Sequence, residues 1–316
     1  MTRQQSVLPV QLPGKHWQPH KLNIPGLTKQ LSLFIHRTED RFISESIRER
    51  GIWEPYETQI VIQNLHVGDV FFDVGANIGY YSVIASSQVG ASGRVFAFEP
   101  EPLNYELLNR NIRLNALNNV QTIPKAVTHF SGSSYLYLCE DNKGDHRLFD
   151  SGDKRARVAV ECVDLDSFVE SMGTRVDFVK LDTQGSEASI LKGMQRTLQR
   201  EAGRIKLVLE FWPHGLVKNG SSAAGLLELI PAEKFDFYWV DEQASTLRPT
   251  VPQQVLRRSE HSQWLTKEQG YLNLFLKPKS GPEVLQANSQ PSGNASVSGA
   301  VAPPSWRLAG WNPALR

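Results

Sequence analysis

Short apolar segments alternate with amphipathic segments through the middle of the chain, which predicts alternating strands and helices. Strands are predicted at 70–73, 94–98, 120–124, 176–181, 206–211, 235–240 and 271–277. Helices are predicted at 55–65, 79–88, 102–116, 186–199 and 222–230. This alternation favours an α/β fold, in which a mostly parallel sheet is covered by helices on both faces. The partial alternation within the last strand is typical of an edge strand.

Two further strand-like segments, 133–139 and 157–163, lie between the third and fourth core strands. A polar, glycine-containing stretch at 140–150 separates them, and the pattern predicts a β-hairpin insertion near the ligand-binding edge of the sheet. Loops of this length in compact domains are usually either functional or disordered. The tip is therefore interpreted either as a lid that contacts the substrate or as a plain surface loop.

The two ends of the chain differ from the core in composition. Residues 1–30 contain four prolines among scattered polar residues, which predicts an extended or disordered arm. Residues 279–316 contain 15 Gly, Pro or Ser among 38 residues, so they cannot bury enough apolar area to order themselves and are predicted to be a disordered tail. A single folded domain is therefore predicted at 31–278.

The composition limits the classes of partner that we expect for this protein. A formal net charge of +1 provides no global field that would recruit nucleic acid. No apolar run is long enough to span a bilayer, and no apolar secretory signal follows the N-terminus, so we expect a cytoplasmic protein with no membrane partner. The two cysteines fall on predicted strands and are expected to be buried thiols. The oligomeric state is left open.

The most informative stretch joins a buried strand to a glycine-containing turn. Residues 70–74 precede Gly75 and Gly79, and the next strand ends at Glu99, 20 residues after Gly79. This is the offset at which the acidic residue of a nucleotide-binding βαβ unit meets a ribose hydroxyl. Because glycine has no Cβ, both glycines allow a sharp turn and a close approach of the backbone to a ligand.

The turn itself distinguishes between two ligand classes. It has the form Gly-x-Asn-x-Gly rather than the three-glycine form of dinucleotide sites. A dinucleotide places its pyrophosphate at a bare helix N-terminus, and Asp73 at the opening of the turn would repel it. S-adenosylmethionine has an ammonium group, which Asp73 suits, and has no phosphate. The turn therefore favours a methyl-donor site over a nicotinamide site.

Four motifs in this order resemble those of the FkbM family of methyltransferases. They are Asp-Val-Gly-Ala-Asn-Ile-Gly at 73–79, Phe-Glu-Pro at 98–100, Lys-Leu-Asp-Thr-Gln-Gly-Ser-Glu at 180–187 and Leu-Glu-Phe at 209–211. Trp-Glu-Pro-Tyr-Glu at 53–57 adds to the resemblance. The resemblance implies a Rossmann-like class I methyltransferase fold of three α/β/α layers, with seven strands and an antiparallel last strand. It also implies S-adenosylmethionine as cofactor and a hydroxyl group as methyl acceptor.

The cofactor residues are expected outside the carboxyl ends of the strands, where open α/β sheets bind their ligands. By resemblance, Glu99 accepts hydrogen bonds from the ribose, Ala126 and Val127 flank the adenine, and Asn77 binds the methionine carboxylate. For Asp73, a local helix-capping role is also possible. The expected cofactor-binding residues are Asp73, Gly75, Asn77, Gly79, Glu99, Pro100, Ala126, Val127 and Asp182.

The candidate catalytic residues are those that could accept a proton from a hydroxyl group. Asp182, after the fourth core strand, is the first choice for the base or for a group that orients the substrate. Lys180 lies on the same side of that strand and would either hold Asp182 ionised or simply pair with it on the surface. Glu210 ends the fifth core strand, and His146, in the hairpin tip, is an alternative base because imidazole titrates in the useful range. His214 is a further alternative.

Metal-independent chemistry is expected, since Glu-Phe-Trp-Pro-His at 210–214 replaces the Asp-Asn pair of metal-dependent catechol-type methyltransferases. The segment after the fourth strand also lacks the Asn/Asp-Pro-Pro-aromatic motif of enzymes that methylate nucleic-acid bases. Together with the hydroxyl acceptor that the family resemblance implies, this predicts an O-methyltransferase that acts on a small molecule, a sugar or a glycan. The alternative is a catalytically silent S-adenosylmethionine-binding protein that acts as an interaction module.

Overall fold

The structure is a computed structural model that describes residues 17–37, 40–262 and 270–279. The strands are β1 (His20–Lys21), β2 (Ser32–Leu33), β3 (Val70–Val74), β4 (Arg94–Phe98), β5 (Val120–Ile123), β6 (Lys125–Thr128), β7 (Gly132–Tyr137), β8 (Arg157–Asp164), β9 (Phe178–Leu181), β10 (Lys206–Phe211), β11 (Phe235–Asp241), β12 (Thr246–Thr250) and β13 (Leu272–Pro278). The helices are α1 (Ile43–Arg50), α2 (Pro55–Asn64), α3 (Tyr80–Val89), α4 (Pro102–Leu114), α5 (Leu165–Met172), α6 (Glu187–Lys192), α7 (Gln195–Glu201), α8 (Pro213–Lys218), α9 (Ala223–Glu228) and α10 (Pro252–His261).

The central sheet has the strand order β12-β11-β13-β10-β9-β3-β4-β5. Strands β5, β4, β3, β9 and β10 are parallel to one another. Strand β13 is antiparallel to its neighbours β10 and β11, and β12 pairs with β11 in antiparallel orientation. The mostly parallel α/β sheet with an antiparallel last strand is thus confirmed, and β12 extends the expected seven strands to eight.

The position of β13 differs from the sequence prediction, which placed this strand at an edge. It lies inside the sheet because both of its faces are covered. Leu274 and Leu276 belong to the apolar layer on one side of the sheet, and Phe275 belongs to the layer on the other side. All three are at most 1% exposed. The apolar run across both faces is typical of an internal strand.

Apolar layers cover both faces of the sheet, as expected when successive side chains of a strand point in opposite directions. Phe72 and Leu181 belong to one layer, whereas Phe71 and Phe178 belong to the other. The rings of Phe71 and Phe178 are 5.5 Å apart between centroids, so adjacent strands pack through aromatic pairs. These layers hold the strands in register and thereby fix where their carboxyl ends lie.

The predicted helix at 186–199 is two helices, α6 and α7, interrupted at Gly193. A Cβ on Gly193 would lie 2.3 Å from the backbone oxygen of Thr128, so the break lets the chain pass close to β6. Helix α4 begins as the sequence indicates, since Glu101 accepts a hydrogen bond from the backbone N–H of Asn104 over 2.6 Å. Among the described residues, no helix is both long and apolar enough to cross a bilayer.

The segment before residue 31 packs onto the domain wherever the structure describes it. Strand β1 pairs with β2, and Leu22 and Ile24 are buried in the same apolar layer as Phe71. The backbone N–H of Asn23 donates to the oxygen of Gly51 over 2.8 Å. The folded unit therefore begins before residue 31. The rest of the expected arm, residues 1–16, and the expected tail from residue 280 onward lie outside the described residues.

The insertion between β5 and β9 contains the predicted hairpin. Strands β7 and β8 are antiparallel, and β6 joins β8 in parallel to complete a three-stranded inserted sheet. Within the tip, Tyr137 and Arg147 exchange two backbone hydrogen bonds of 2.8 and 3.0 Å. Both cysteines are free thiols. Cys162 is buried on β8, whereas Cys139 is half-buried and lies after the end of β7.

Gly75 brings the turn after β3 against the turn after β9, with a φ of +84° and a Cβ position 2.1 Å from the backbone oxygen of Asp182. We expect Gly75→Ala to lower the free energy of unfolding by about 1–3 kcal/mol more than Gly152→Ala, because overpacking adds to backbone strain. Gly152 is the matched control, since its φ is also +84° and its Cβ position is open. Urea unfolding of both variants tests this, and equal losses would contradict it.

Candidate active site

A cavity lies at the carboxyl ends of β3, β4 and β9, beneath the inserted sheet. We name it the strand-end cavity. Its lining consists of Val74, Gly75, Asn77, Phe98, Glu99, Pro100, Asn104, Lys125, Ala126, Val127, Leu136, Lys143, Gly144, His146, Leu148, Asp182, Thr183 and Gln184. The structure thus brings together seven of the nine residues predicted to bind a cofactor.

Glu99 lines this cavity with a carboxylate that the backbone holds in place. One oxygen accepts a hydrogen bond from the N–H of Asn77 over 2.7 Å, and the other accepts from the N–H of Glu101 over 2.8 Å. Burial raises the pKa of Glu99 to about 8, although the Glu101 N–H opposes this shift. Each oxygen retains capacity for a further hydrogen bond, so the group can accept from ligand hydroxyls.

Asn77 connects the glycine turn to the inserted sheet. Its φ is +50°, and its side-chain oxygen accepts from the N–H of Ile78 over 2.7 Å. Its amide nitrogen donates to the backbone oxygen of Lys143 over 2.8 Å, and Asn104 donates to the same oxygen over 2.9 Å. The N–H groups of Asn77 and Ile78 are therefore both occupied, by the side chains of Glu99 and Asn77.

Asp73 and Gly79, which were also predicted to bind the cofactor, do not line the cavity. Asp73 is 2% exposed, and it accepts a hydrogen bond from the Ser82 hydroxyl on α3 over 2.6 Å. Burial raises the pKa of Asp73 to about 6. Gly79 caps α3 with a φ of +89°, and its Cβ position lies 2.6 Å from a methyl carbon of Leu108. Asp73 therefore contacts α3 and Gly79 contacts α4, and both stabilise the turn without lining the cavity.

Ion pairs and hydrogen bonds connect a series of polar side chains at the ends of β9 and β10. The ammonium of Lys180 lies 3.4 Å from Glu57 and 3.1 Å from Asp182. The amide nitrogen of Gln184 donates to both Asp182 and Glu210, over 3.0 Å in each case. The predicted residues Lys180, Asp182 and Glu210 are therefore adjacent.

Glu57 and Gln184 were not among the predicted site residues, although each lies in a motif that the sequence analysis quoted. Burial and the charge of Glu54 raise the pKa of Glu57 to about 8. Burial alone would lower the pKa of Lys180, but the charges of Asp182 and Glu57 outweigh it and raise that pKa. Gln184 adopts a φ of +53°, which turns its amide back between the two carboxylates.

His146 lies in the tip of the insertion and lines the strand-end cavity. Its Nδ1 accepts a hydrogen bond from the backbone N–H of Cys139 over 3.0 Å. Burial, with a contribution from the charge of Lys143, lowers the pKa of His146 to about 3. The imidazole is therefore neutral and a poor proton acceptor at neutral pH, which argues against the base role suggested by the sequence.

A second cavity of about 300 Å³ lies on the other side of Gln184. We name it the outer cavity. Its lining consists of Phe42, Cys139, Asp141, Asn142, Asp145, Arg147, Arg155, Gln184, Glu210, Trp212 and Tyr271. The carboxylate of Asp145 binds Arg147 through both oxygens and also binds Arg155. Gln184 lines both cavities, whereas His214 lines neither.

Glu99→Gln tests the buried carboxylate in the protein without ligand. Because the folded pKa of about 8 lies above the ordinary 4.5, the stabilisation is complete below 4.5 and is lost as the pH rises through 8. We expect the variant to show a shallower decline in stability across this range, measured by urea unfolding. Glu161→Gln is the control, since that side chain is 68% exposed. An unchanged decline in Glu99→Gln would contradict the raised pKa.

Comparison with known proteins finds methyltransferases. The Methyltransferase FkbM domain family matches residues 73–237, a little over half of the chain. The hexuronic acid methyltransferase AglP of Haloferax volcanii is 29% identical over 168 residues, which cover 50% of this chain and 66% of AglP. The chain thus spans just under two thirds of that relative. Methyltransferase sdnD of Sordaria araneosa is 26% identical over 229 residues, covering 61% of this chain and 85% of sdnD.

Solved structures of methyltransferases are also similar. Methyltransferase FkbM of Methylobacillus flagellatus has 16% sequence identity and a TM-score of 0.40, over 66% of this chain and 43% of its own. The family match covers the glycine turn, Glu99, the Lys180–Asp182 pair and Glu210. The chain therefore belongs to the FkbM family of methyltransferases.

Proposed function

We propose that the protein is an S-adenosylmethionine-dependent O-methyltransferase that acts on a hydroxyl group of a sugar, a glycan or another small molecule. The observation that carries the proposal is the meeting of two cavities at Gln184, with Asp182 on one side and Glu210 on the other. Methyl transfer is an in-line displacement that requires donor and nucleophile on opposite sides of the methyl carbon. Two cavities that meet at one polar group suit this requirement.

The strand-end cavity fits the cofactor in its donor set. Glu99 can accept hydrogen bonds from the ribose hydroxyls, and Ala126 and Val127 provide an apolar wall for the adenine. A dinucleotide fits less well, because the N–H groups of Asn77 and Ile78, which a phosphate would need, are already bound by the side chains of Glu99 and Asn77.

The residues at the junction have distinct proposed roles. S-adenosylmethionine, when bound, supplies the methyl group from its sulfonium. Glu210 accepts the proton of the acceptor hydroxyl, since it borders the outer cavity. The ammonium of Lys180 holds Asp182 as an anion, so Asp182 serves to orient the reactants. Gln184 fixes the two carboxylates relative to each other.

The outer cavity suits a hydroxyl-rich acceptor. Its carboxylate, amide and guanidinium groups can hydrogen-bond to hydroxyls, and Trp212 adds an aromatic surface. The similarity to AglP, a hexuronic acid methyltransferase, supports a carbohydrate acceptor.

Isothermal titration with S-adenosylmethionine, S-adenosylhomocysteine and NAD in parallel tests the cofactor. We expect micromolar binding of the two sulfur ligands and no binding of NAD, whereas a preference for NAD would refute the proposal. Transfer of a tritiated methyl group to a panel of neutral glycosides, uronic acids and phenols then tests the reaction. Cofactor binding without transfer to any member would favour a catalytically silent binding protein.

A further inference from the structure

The tip of the inserted sheet contains a buried polar atom that has no role in the proposed reaction. The Nε2 of His146 is inaccessible to solvent and has no hydrogen-bond partner among the residues that the structure describes. The side chain nevertheless lines the strand-end cavity. Burying a polar group without a partner is unfavourable, and a ligand that bound this nitrogen would remove that cost.

The contact on the opposite side of the ring determines which nitrogen carries the proton. The backbone N–H of Cys139 can only donate, so the Nδ1 of His146 must accept. In a neutral imidazole the proton is then on Nε2. The ring is neutral because burial lowers the pKa of His146 to about 3. His146 therefore offers one fixed, uncharged N–H donor.

The surroundings of His146 indicate which part of the cofactor this donor meets. The neighbouring wall of the cavity is apolar and is formed by Ala126 and Val127 on β6, Leu136 on β7 and Leu148 in the tip. Such a wall suits the flat adenine ring. Adenine offers ring nitrogens that accept hydrogen bonds, whereas the ribose hydroxyls can donate to Glu99. A donor at His146 thus complements the adenine rather than the ribose.

The tip that carries His146 is hydrogen-bonded to other parts of the site. The backbone oxygen of Lys143 accepts hydrogen bonds from the side-chain amides of both Asn77 and Asn104. The Asn77 turn and helix α4 therefore determine the position of the tip. An N–H donor held in this way loses little conformational freedom when a ligand binds.

We propose that His146 is a cofactor-binding residue whose Nε2–H donates a hydrogen bond to a ring nitrogen of the adenine, so that the inserted sheet closes the adenosine end of the site. This inference rests on the proposed use of S-adenosylmethionine. It gives the insertion a role in recognising the cofactor, in addition to any contact it makes with the acceptor.

Two substitutions distinguish the effect of the N–H donor from the effect of side-chain size and shape. The amide of His146→Gln can reach the position of Nε2, whereas His146→Asn can retain the contact with Cys139 but is too short to replace the donor. We expect S-adenosylhomocysteine to bind His146→Asn about 3- to 10-fold more weakly than wild type, and His146→Gln within about twofold of wild type. Titration calorimetry measures both affinities.

Deaza analogues identify the acceptor. These are forms of S-adenosylhomocysteine in which N1, N3 or N7 of the adenine is replaced by carbon. One of them should bind wild type about 3- to 10-fold more weakly than the parent ligand, yet show no such loss on His146→Asn. Equal affinity of wild type and His146→Asn, or a deaza penalty that persists unchanged in that variant, would overturn the proposal.

Two further outcomes remain decisive. If His146→Asn does not fold, the analogue series on wild type still decides, since tight binding of all three deaza ligands would overturn the inference. Failure of wild type to bind S-adenosylhomocysteine at all would instead refute the proposed cofactor.

Discussion

Glu210→Gln is expected to slow methyl transfer by about 10²–10⁴-fold while the affinity for S-adenosylmethionine stays unchanged. The amide keeps the size of the side chain and a partner for Gln184, but it cannot accept a proton from the acceptor hydroxyl. Because Glu210 lines the outer cavity and not the strand-end cavity, cofactor binding should not depend on its charge. The turnover number with a saturating acceptor and calorimetry with the cofactor measure the two quantities.

Asp182→Asn is the comparison variant, because Gln184 bonds to both carboxylates over the same distance. It should affect cofactor affinity as well as turnover, since Asp182 lines the strand-end cavity. Because the base acts only after it has lost its proton, the rate should rise with pH as the base ionises. This rise should disappear in Glu210→Gln and persist in Asp182→Asn. A full rate in Glu210→Gln, together with loss of that pH dependence in Asp182→Asn, would assign the base to Asp182 instead.

Lys180→Met is expected to lower the free energy of unfolding by about 3–5 kcal/mol, the cost of removing one partner from a buried ion pair. Lys180 is 4% exposed and lies between Glu57, which is fully buried, and Asp182. Its ammonium also lies 4.5 Å from the ring centre of Tyr81. Methionine fills much of the same volume, so the loss should come from uncompensated carboxylates rather than from a void. Urea unfolding measures it.

The pH dependence of the free energy of unfolding tests whether uncompensated carboxylates cause this loss. Burial already raises the pKa of Glu57 to about 8 from an ordinary 4.5. Without the ammonium, the pKa of Glu57 in the folded state rises further, so the decline in stability that wild type shows as the pH rises from 4.5 through 8 should continue to higher pH in Lys180→Met. Adding Glu57→Gln should restore much of the stability and flatten the decline. A double variant no more stable than Lys180→Met would show that lost packing, not charge, is responsible.

Much of the fold follows from the sequence, because burial on both faces leaves a pattern along the chain. The runs at β3, β4, β9 and β10 are mostly apolar, with one or two charged residues in each, and helices separate them. The place of β13 does not follow in the same way. Which strands become neighbours depends on how the segments pack in space, and β13 enters between β10 and β11 because each of its faces meets an apolar layer.

The sequence by itself determined the glycine turn, the acidic residue after β4 and the polar residues at the ends of β9 and β10. These features depend on local geometry and on offsets within one βαβ unit, which are short-range properties of the chain. Glu99, Lys180, Asp182 and Glu210 accordingly lie at the candidate site.

Only the tertiary structure decided which side chains face a cavity. Asp73 accepts a hydrogen bond from Ser82 because helix α3 packs back against β3, and Gln184 joins two carboxylates because its backbone adopts a positive φ. His146 reaches the strand-end cavity because the inserted tip is fastened to Asn77 and Asn104, which lie 66 and 39 residues from Lys143 in the chain. Contacts between segments so far apart form only when the whole domain folds, and no local pattern encodes them.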